Sequence, residues 1–142
     1  MTTRREHILD AVMTALAGTA SVGSRIYRSR VTAVNRAESP CLLVEPVSDA
    51  CEQTTSLAKL DWTLQIRVTC IVRGDKPDEV ADPVIESLHS KIMNDITLGG
   101  YAMDLIPTGT NFEMIDADQP AGAISSNYQI RYRTANDDLT SV

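Results

Sequence analysis

The side chains in this sequence that could do chemistry are few, and they are arginines and carboxylates rather than nucleophiles. Arg67 and Arg73 stand in one alternating stretch, Leu60–Arg73, and Arg131 and Arg133 in another, Ser125–Thr134. An arginine fork grips carboxylates bidentately, so four of them on one sheet face suit a subunit interface; the plainer reading is a solvated face. Asp116 and Asp118, with Asp137 and Asp138 further along, have the oxygen chemistry of a divalent-cation site, but turns favour Asp for backbone reasons alone. No cofactor follows, and Mg²⁺ enters only as a candidate aid to assembly. His7 and His89 fall on separate predicted helices with no second His at ligand spacing. There is no G-x-S-x-G, no H-E-x-x-H and no phosphate-cradling loop; Gly99-Gly100 follows a helix instead of opening one. No catalytic residue is nominated, and the expectation is a protein that is not an enzyme. A small-ligand-binding domain would need a pocket of convergent polar groups, and no cluster supplies one.

The totals set the frame. With 142 residues, 43% hydrophobic and 23% charged, the chain makes a single domain, 1–142, with room for a core. Thirteen basic against nineteen acidic residues give a formal charge of −6, which disfavours tight wrapping on a phosphate backbone. No apolar run approaches the ~20 residues of a membrane span. The start, M-T-T-R-R-E-H-I-L-D, lacks the apolar core of a signal peptide, so the chain is expected in the cytoplasm. Cys41, Cys51 and Cys70 fit neither a zinc site nor a disulfide framework; Cys41 and Cys70 lie in apolar strand patterns, and Cys51 reads as a free thiol.

The elements that must position these residues follow from periodicity. In Leu60–Arg73, Trp62, Leu64, Ile66, Val68, Cys70 and Val72 alternate with Asp61, Thr63, Gln65, Arg67, Thr69, Ile71 and Arg73. This is a long strand with one buried and one solvated face. Residues 1–18 hold an N-terminal helix with a capping box at Thr3 and Glu6, an apolar stripe from Ile8 to Leu16, and Gly18 as its stop. Val22–Val34, with Arg25, Arg28 and Arg30, reads as a charged edge strand. C-L-L-V-E-P-V after Pro40 is a short covered strand that ends or bulges at Pro46. Residues 48–59 form a polar connection, read as a protruding hairpin arm that brings Glu52 and Lys59 into candidate contacts. A second helix, Asp78–Ile96, starts at Pro77, kinks or restarts at Pro83, and buries Val84, Ile85, Leu88, Ile92 and Ile96. Tyr101–Ile106 and Asn111–Asp116 read as separate strands, Ser125–Thr134 as the last one, and 135–142 as a flexible tail. The fold class is α+β: two helices on one face of a mixed or antiparallel four- to five-stranded sheet.

This order resembles the tail terminators of long-tailed phages related to lambda, the minor tail protein U type. The resemblance rests on S-P-C-L-L-V-E-P, then a polar arm, then D-W-T-L-Q-I-R-V at Asp61–Val68 with a Trp opening an alternating strand. It continues with Pro77 and Asp78 starting a helix that ends near Met93-Asn94-Asp95-Ile96, then D-A-D-Q-P-A-G-A before the tyrosine-bearing strand S-S-N-Y-Q-I-R-Y-R-T. It implies a structural virion protein that forms a homo-hexameric ring at the head-proximal end of the tail, assembled in the host cytoplasm. The ring caps the tail tube protein, ends its polymerisation and offers a joining surface to head–tail connector or neck proteins. DNA passes through its bore without sequence-specific binding, and no membrane is involved. The arm 48–59 and the arginine-bearing face are the expected ring contacts. A head-completion or neck adaptor is the alternative, with a ligand-binding α+β domain behind it.

Overall fold

Two helices lie on one face of a five-stranded sheet in the computed structural model, which describes residues 2–30, 32, 34, 36–53, 57–115 and 120–142. In chain order the elements are α1 (Arg4–Leu16), β1 (Ile26–Arg28), β2 (Cys41–Glu52), β3 (Lys59–Arg73), α2 (Pro77–Met93), β4 (Asp104–Ile115) and β5 (Ala121–Ala135). The sheet order is β1-β2-β3-β5-β4, with β1 parallel to β2 and the other pairings antiparallel. This is the expected α+β architecture.

The central strand is β3, as its alternation requires. It pairs with β5 from Lys59↔Ala135 to Arg73↔Ala121 and with β2 on its other side. Leu64, Ile66, Val68, Cys70 and Val72 are buried beneath the helices, and the rows continue into Ile130 opposite Leu64 and Tyr128 opposite Ile66. The helices close the core with Ile8, Leu9, Val12 and Leu16 from α1 and Ala81, Val84, Leu88 and Ile92 from α2. Each buried Val, Leu and Ile of this layer contributes about 1.5–3 kcal/mol, so the layer dominates the stability.

Local chemistry fixes the helix ends. Thr3 caps α1, its hydroxyl accepting from the Glu6 N–H at 3.2 Å. The reciprocal half of the expected capping box is missing, because the Glu6 carboxylate turns to Arg28 at 2.7 and 2.8 Å. Gly18 follows α1 at φ +85°, a conformation other residues reach only with strain. In α2, Pro77 sits in the first turn, and the helix runs past Pro83 to Met93 without the restart that Pro83 suggests. It stops three residues short of Ile96, which is 43% exposed and off the buried stripe. The chain leaves through a turn in which Asp95 accepts from Thr97 and Gly99, so Gly99-Gly100 shapes the exit rather than the helix end. The start of α2 approaches β5 so closely that a Cβ on Gly122 would lie 2.5 Å from the Pro77 side chain.

Three expected boundaries move. The polar stretch after Pro46 is not a free arm: β2 passes a bulge between Pro46 and Ser48 and stays paired with β3 from Ser48↔Gln65 to Glu52↔Asp61. Only residues 53–58 connect the two strands, and 54–56 lie outside the described residues. The two strands read at Tyr101–Ile106 and Asn111–Asp116 are one strand, β4, interrupted by a bulge between Pro107 and Gly109. Pro107 is tolerated because β4 is an edge strand. The end of the chain folds back, with the Arg4 N–H donating to Leu139 O and the Ala135 N–H to Ser141 O, both at 2.9 Å. The flexible tail expected for 135–142 is tied instead to the start of α1 and the end of β5.

Candidate functional site

β3 and β5 are neighbours in register, so the four arginines do share the sheet face away from the helices. That face is not a basic stripe. The Arg67 Nε donates to Glu45 Oε1 at 2.8 Å, directly across to β2. The Arg133 Nε donates to Asp61 Oδ1 at 2.6 Å across to β3, and Arg131 lies 3.7 Å from Asp104 on β4. Between these pairs, Gln65 bonds Gln129 at 3.2 Å and Thr69 bonds Ser125 at 3.0 Å. These rows across the outer face are closed by their own partners, the cross-strand pairing that stabilises antiparallel sheets. Asp61 is the most buried carboxylate of the set, 10% exposed, and its hydrogen bond and charge hold the Arg133 guanidinium protonated above its usual range. Arg73 stands apart, half-buried opposite Ala121, with no carboxylate bonded to it among the described residues.

The remaining candidates separate. Glu52 is exposed opposite Asp61, and Lys59 is half-buried opposite Ala135, so both sit at the far end of the sheet rather than on an arm. Asp116 and Asp118 lie outside the described residues. Among those described, no group of three His, Cys, Asp or Glu is placed to hold a metal ion. Asp138 is occupied in the tail, accepting from the Thr140 N–H and hydroxyl at 2.9 and 2.6 Å. His7 stacks on Tyr101 with ring centres 4.6 Å apart, and His89 Nδ1 lies 3.1 Å from the Tyr128 hydroxyl. Cys51 is exposed, while burial pushes the Cys70 thiol up to about 12 and raises Cys41 as well.

One constellation escaped the sequence reading. Asp49, on the helix side of β2, accepts from Arg5 of α1 at 3.3 Å and from the Tyr132 hydroxyl of β5. Tyr132 stacks on Trp62, and burial followed by this carboxylate raises its hydroxyl well above the usual phenol range. The trio locks the N-terminus of α1 onto the distal half of β2 and explains why a polar residue stands on the buried side there. No local pattern announces it, since its members are 44 and 83 residues apart.

A broad open groove of about 680 Å³ runs between the C-terminal halves of α1 and α2, with Ala11, Ala15, Leu98 and Tyr101 among its walls. Its carboxylate, Asp95, is consumed by Thr97 and Gly99, whose bonds hold its pKa below the ordinary value. Ser90, Lys91 and Asn94 also line the groove, which stands open to solvent. Among the described residues, no helix is long and apolar enough to cross a membrane.

No family model matches the sequence, and no curated protein matches it. The fold does have a counterpart. A chain in the virion of a native gene transfer agent particle superposes with a TM-score of 0.62 at 9% identity, covering 88% of this chain and 93% of that one. The likeness extends over most of both chains, so it is the overall fold rather than one motif that is shared.

Proposed function

We propose that this chain is a structural subunit of a phage-like virion and that it has no enzymatic activity. The observation that carries the reading is the structural match of most of the domain to a virion chain, over 88% of this chain and 93% of that one. The site geometry supports it: three of the four outer-face arginines are spent on carboxylates one strand away.

Within that class, the reading favoured is a tail terminator: a hexameric ring at the head-proximal end of the tail that caps the tube and presents a joining surface to the neck. The sequence resemblance supplies this finer role, and a sheet whose outer face carries no covering layer among the described residues suits stacking on flat protein surfaces. A neck adaptor differs only in its partners. The test is to add the purified protein to polymerising tail-tube subunits of its own particle and measure tube length by electron microscopy. The terminator reading expects tubes of restricted length with extra density at one end. Unchanged tubes, with the protein bound to connector rings instead, would assign it to the neck.

A further inference from the structure

We propose that the cavity between α2 and the bulge of β4 binds a primary ammonium group carried on an alkyl chain. The proposal goes beyond the virion reading and stands or falls apart from it.

The cavity holds about 360 Å³. From α2 it takes Asp82, Glu86 and His89, whose spacings of four and three put them on one stripe of the helix. From the sheet it takes Thr110 of β4 and Ser126 and Tyr128 of β5. Ser126 and Tyr128 are alternate residues of β5 and share the helix side with the buried Ile124 and Ile130. Their side chains therefore point toward α2, and the Tyr128 hydroxyl meets His89 there.

Ser126 is the observation that points to a ligand. Among the described residues five polar side chains are buried: Thr19, Asp61, Thr69, Ser126 and Thr134. Thr19 donates to Leu16 O, Asp61 accepts from Arg133, Thr69 bonds Ser125 and Thr134 accepts from the Trp62 indole N–H. Ser126, only 5% exposed, makes no side-chain hydrogen bond among the described residues, and it lines the cavity. A buried hydroxyl left unbonded is costly, and a ligand seated against it recovers that cost.

Charge and geometry say which ligand. Among the described residues Asp82 and Glu86 form no ion pair, and no lysine or arginine lines the cavity. α2 carries Asp78, Glu79, Asp82 and Glu86 against Lys91, so its field repels anions and draws cations. The cation is not a metal ion, because no three described His, Cys, Asp or Glu are placed to hold one. An ammonium donates three diverging hydrogen bonds and accepts none, whereas the donors of a guanidinium are coplanar. Here the acceptors come from three elements: carboxylates on α2, the Thr110 hydroxyl on β4 and the Ser126 hydroxyl on β5. That divergence fits the ammonium. Ile85 and Pro107 give the alkyl stem an apolar wall. Burial lifts the Tyr128 phenol to about 12, so beside the cation it stays a neutral hydroxyl.

The test is a titration of the ¹⁵N-labelled protein at low salt, followed by NMR, with two probes of this chemistry. 1,5-Diaminopentane stands for a free amine, and Nα-acetyl-lysine amide for a lysine side chain of another protein. 1-Pentanol is the neutral control. Saturable shifts gathered at Glu86, His89, Thr110 and Ser126 are expected with at least one amine and not with the alcohol. Binding of the diamine alone assigns the site to free amines, and binding of the lysine amide alone assigns it to a protein side chain. Asp82→Asn with Glu86→Gln is expected to weaken binding at least ~10-fold, and Ser126→Ala about 3–10-fold. Glu79→Gln, on the same helix but outside the cavity, is expected to bind like wild type. Thermal melting checks that each variant folds, and the wild-type shift map decides without them. Neither amine shifting these residues overturns the proposal, as does equal binding of the alcohol, or Glu79→Gln weakening binding as much as the cavity variants.

Discussion

The outer face of the sheet and its β4 edge hold the two most conspicuous sets of surface residues, and they teach opposite lessons. The face bears arginines, which in a bare sequence suggest an interface, but Arg67, Arg131 and Arg133 each spend their charge on a carboxylate one strand away. The edge bears Ile106, Phe112 and Met114, which a sequence reading assigns to a strand and forgets, and they stand 47%, 64% and 50% exposed. Charge satisfied internally is stability; apolar surface left in water is an invitation to a partner.

The comparison breaks most visibly when core and edge are cut alike. Ile66→Ala, in the buried layer, is expected to lose about 2–5 kcal/mol in urea unfolding. Phe112→Ala should stay within about 0.5 kcal/mol of wild type while weakening self-association. Equal losses would mean that the edge is part of the core. Next in size is Gly122→Ala, where the new methyl meets the Pro77 ring; overpacking there should cost about 1–3 kcal/mol, with the start of α2 losing hydrogen-exchange protection first.

The outer face itself divides by burial. Asp61→Asn removes charge from a carboxylate only 10% exposed and should cost about 1–3 kcal/mol. Glu45→Gln, in a pair whose members are each 41% exposed, should cost about 0–1 kcal/mol. Similar values for the two, measured in one unfolding series, would contradict the idea that Asp61 anchors the face.

The smallest effect concerns acid. The Thr97 hydroxyl and the Gly99 and Thr97 N–H groups hold the Asp95 carboxyl below its ordinary value, and Thr140 does the same for Asp138. A folded pKa below the unfolded one gives stability that is present above about pH 4 and lost as pH falls through the folded value. Asp95→Asn with Asp138→Asn should therefore flatten the fall in melting temperature below about pH 4 and leave its slope above pH 5 unchanged. A flattening confined to neutral pH would assign the acid response elsewhere.

Where the pattern was local, the sequence disclosed it. Period-two alternation defined β3 and β5, Thr3 marked the start of α1, and Pro77 marked that of α2. The distal half of β2 stayed hidden because its helix-side positions hold Asp49 and Cys51, and Asp49 is explained only by Arg5 and Tyr132 across the fold. The bulge at Pro107–Gly109 made one strand look like two, and a helix ending at Met93 put Ile96 outside. The arginines were legible as a shared face because each pair holds alternating positions of one strand. Their carboxylates were not, because Asp61 and Arg133 are 72 residues apart and Asp104 meets Arg131 only through the order β3-β5-β4.

The measurement closest to the central claim is the mass of the wild-type protein by sedimentation velocity, free and with tail-tube subunits of its own particle, over a range of concentration, salt and Mg²⁺. A ring-forming virion subunit predicts one closed species of fixed copy number that forms in solution or on the tube and loosens as salt rises. A monomer under every condition, with tube present, would contradict it.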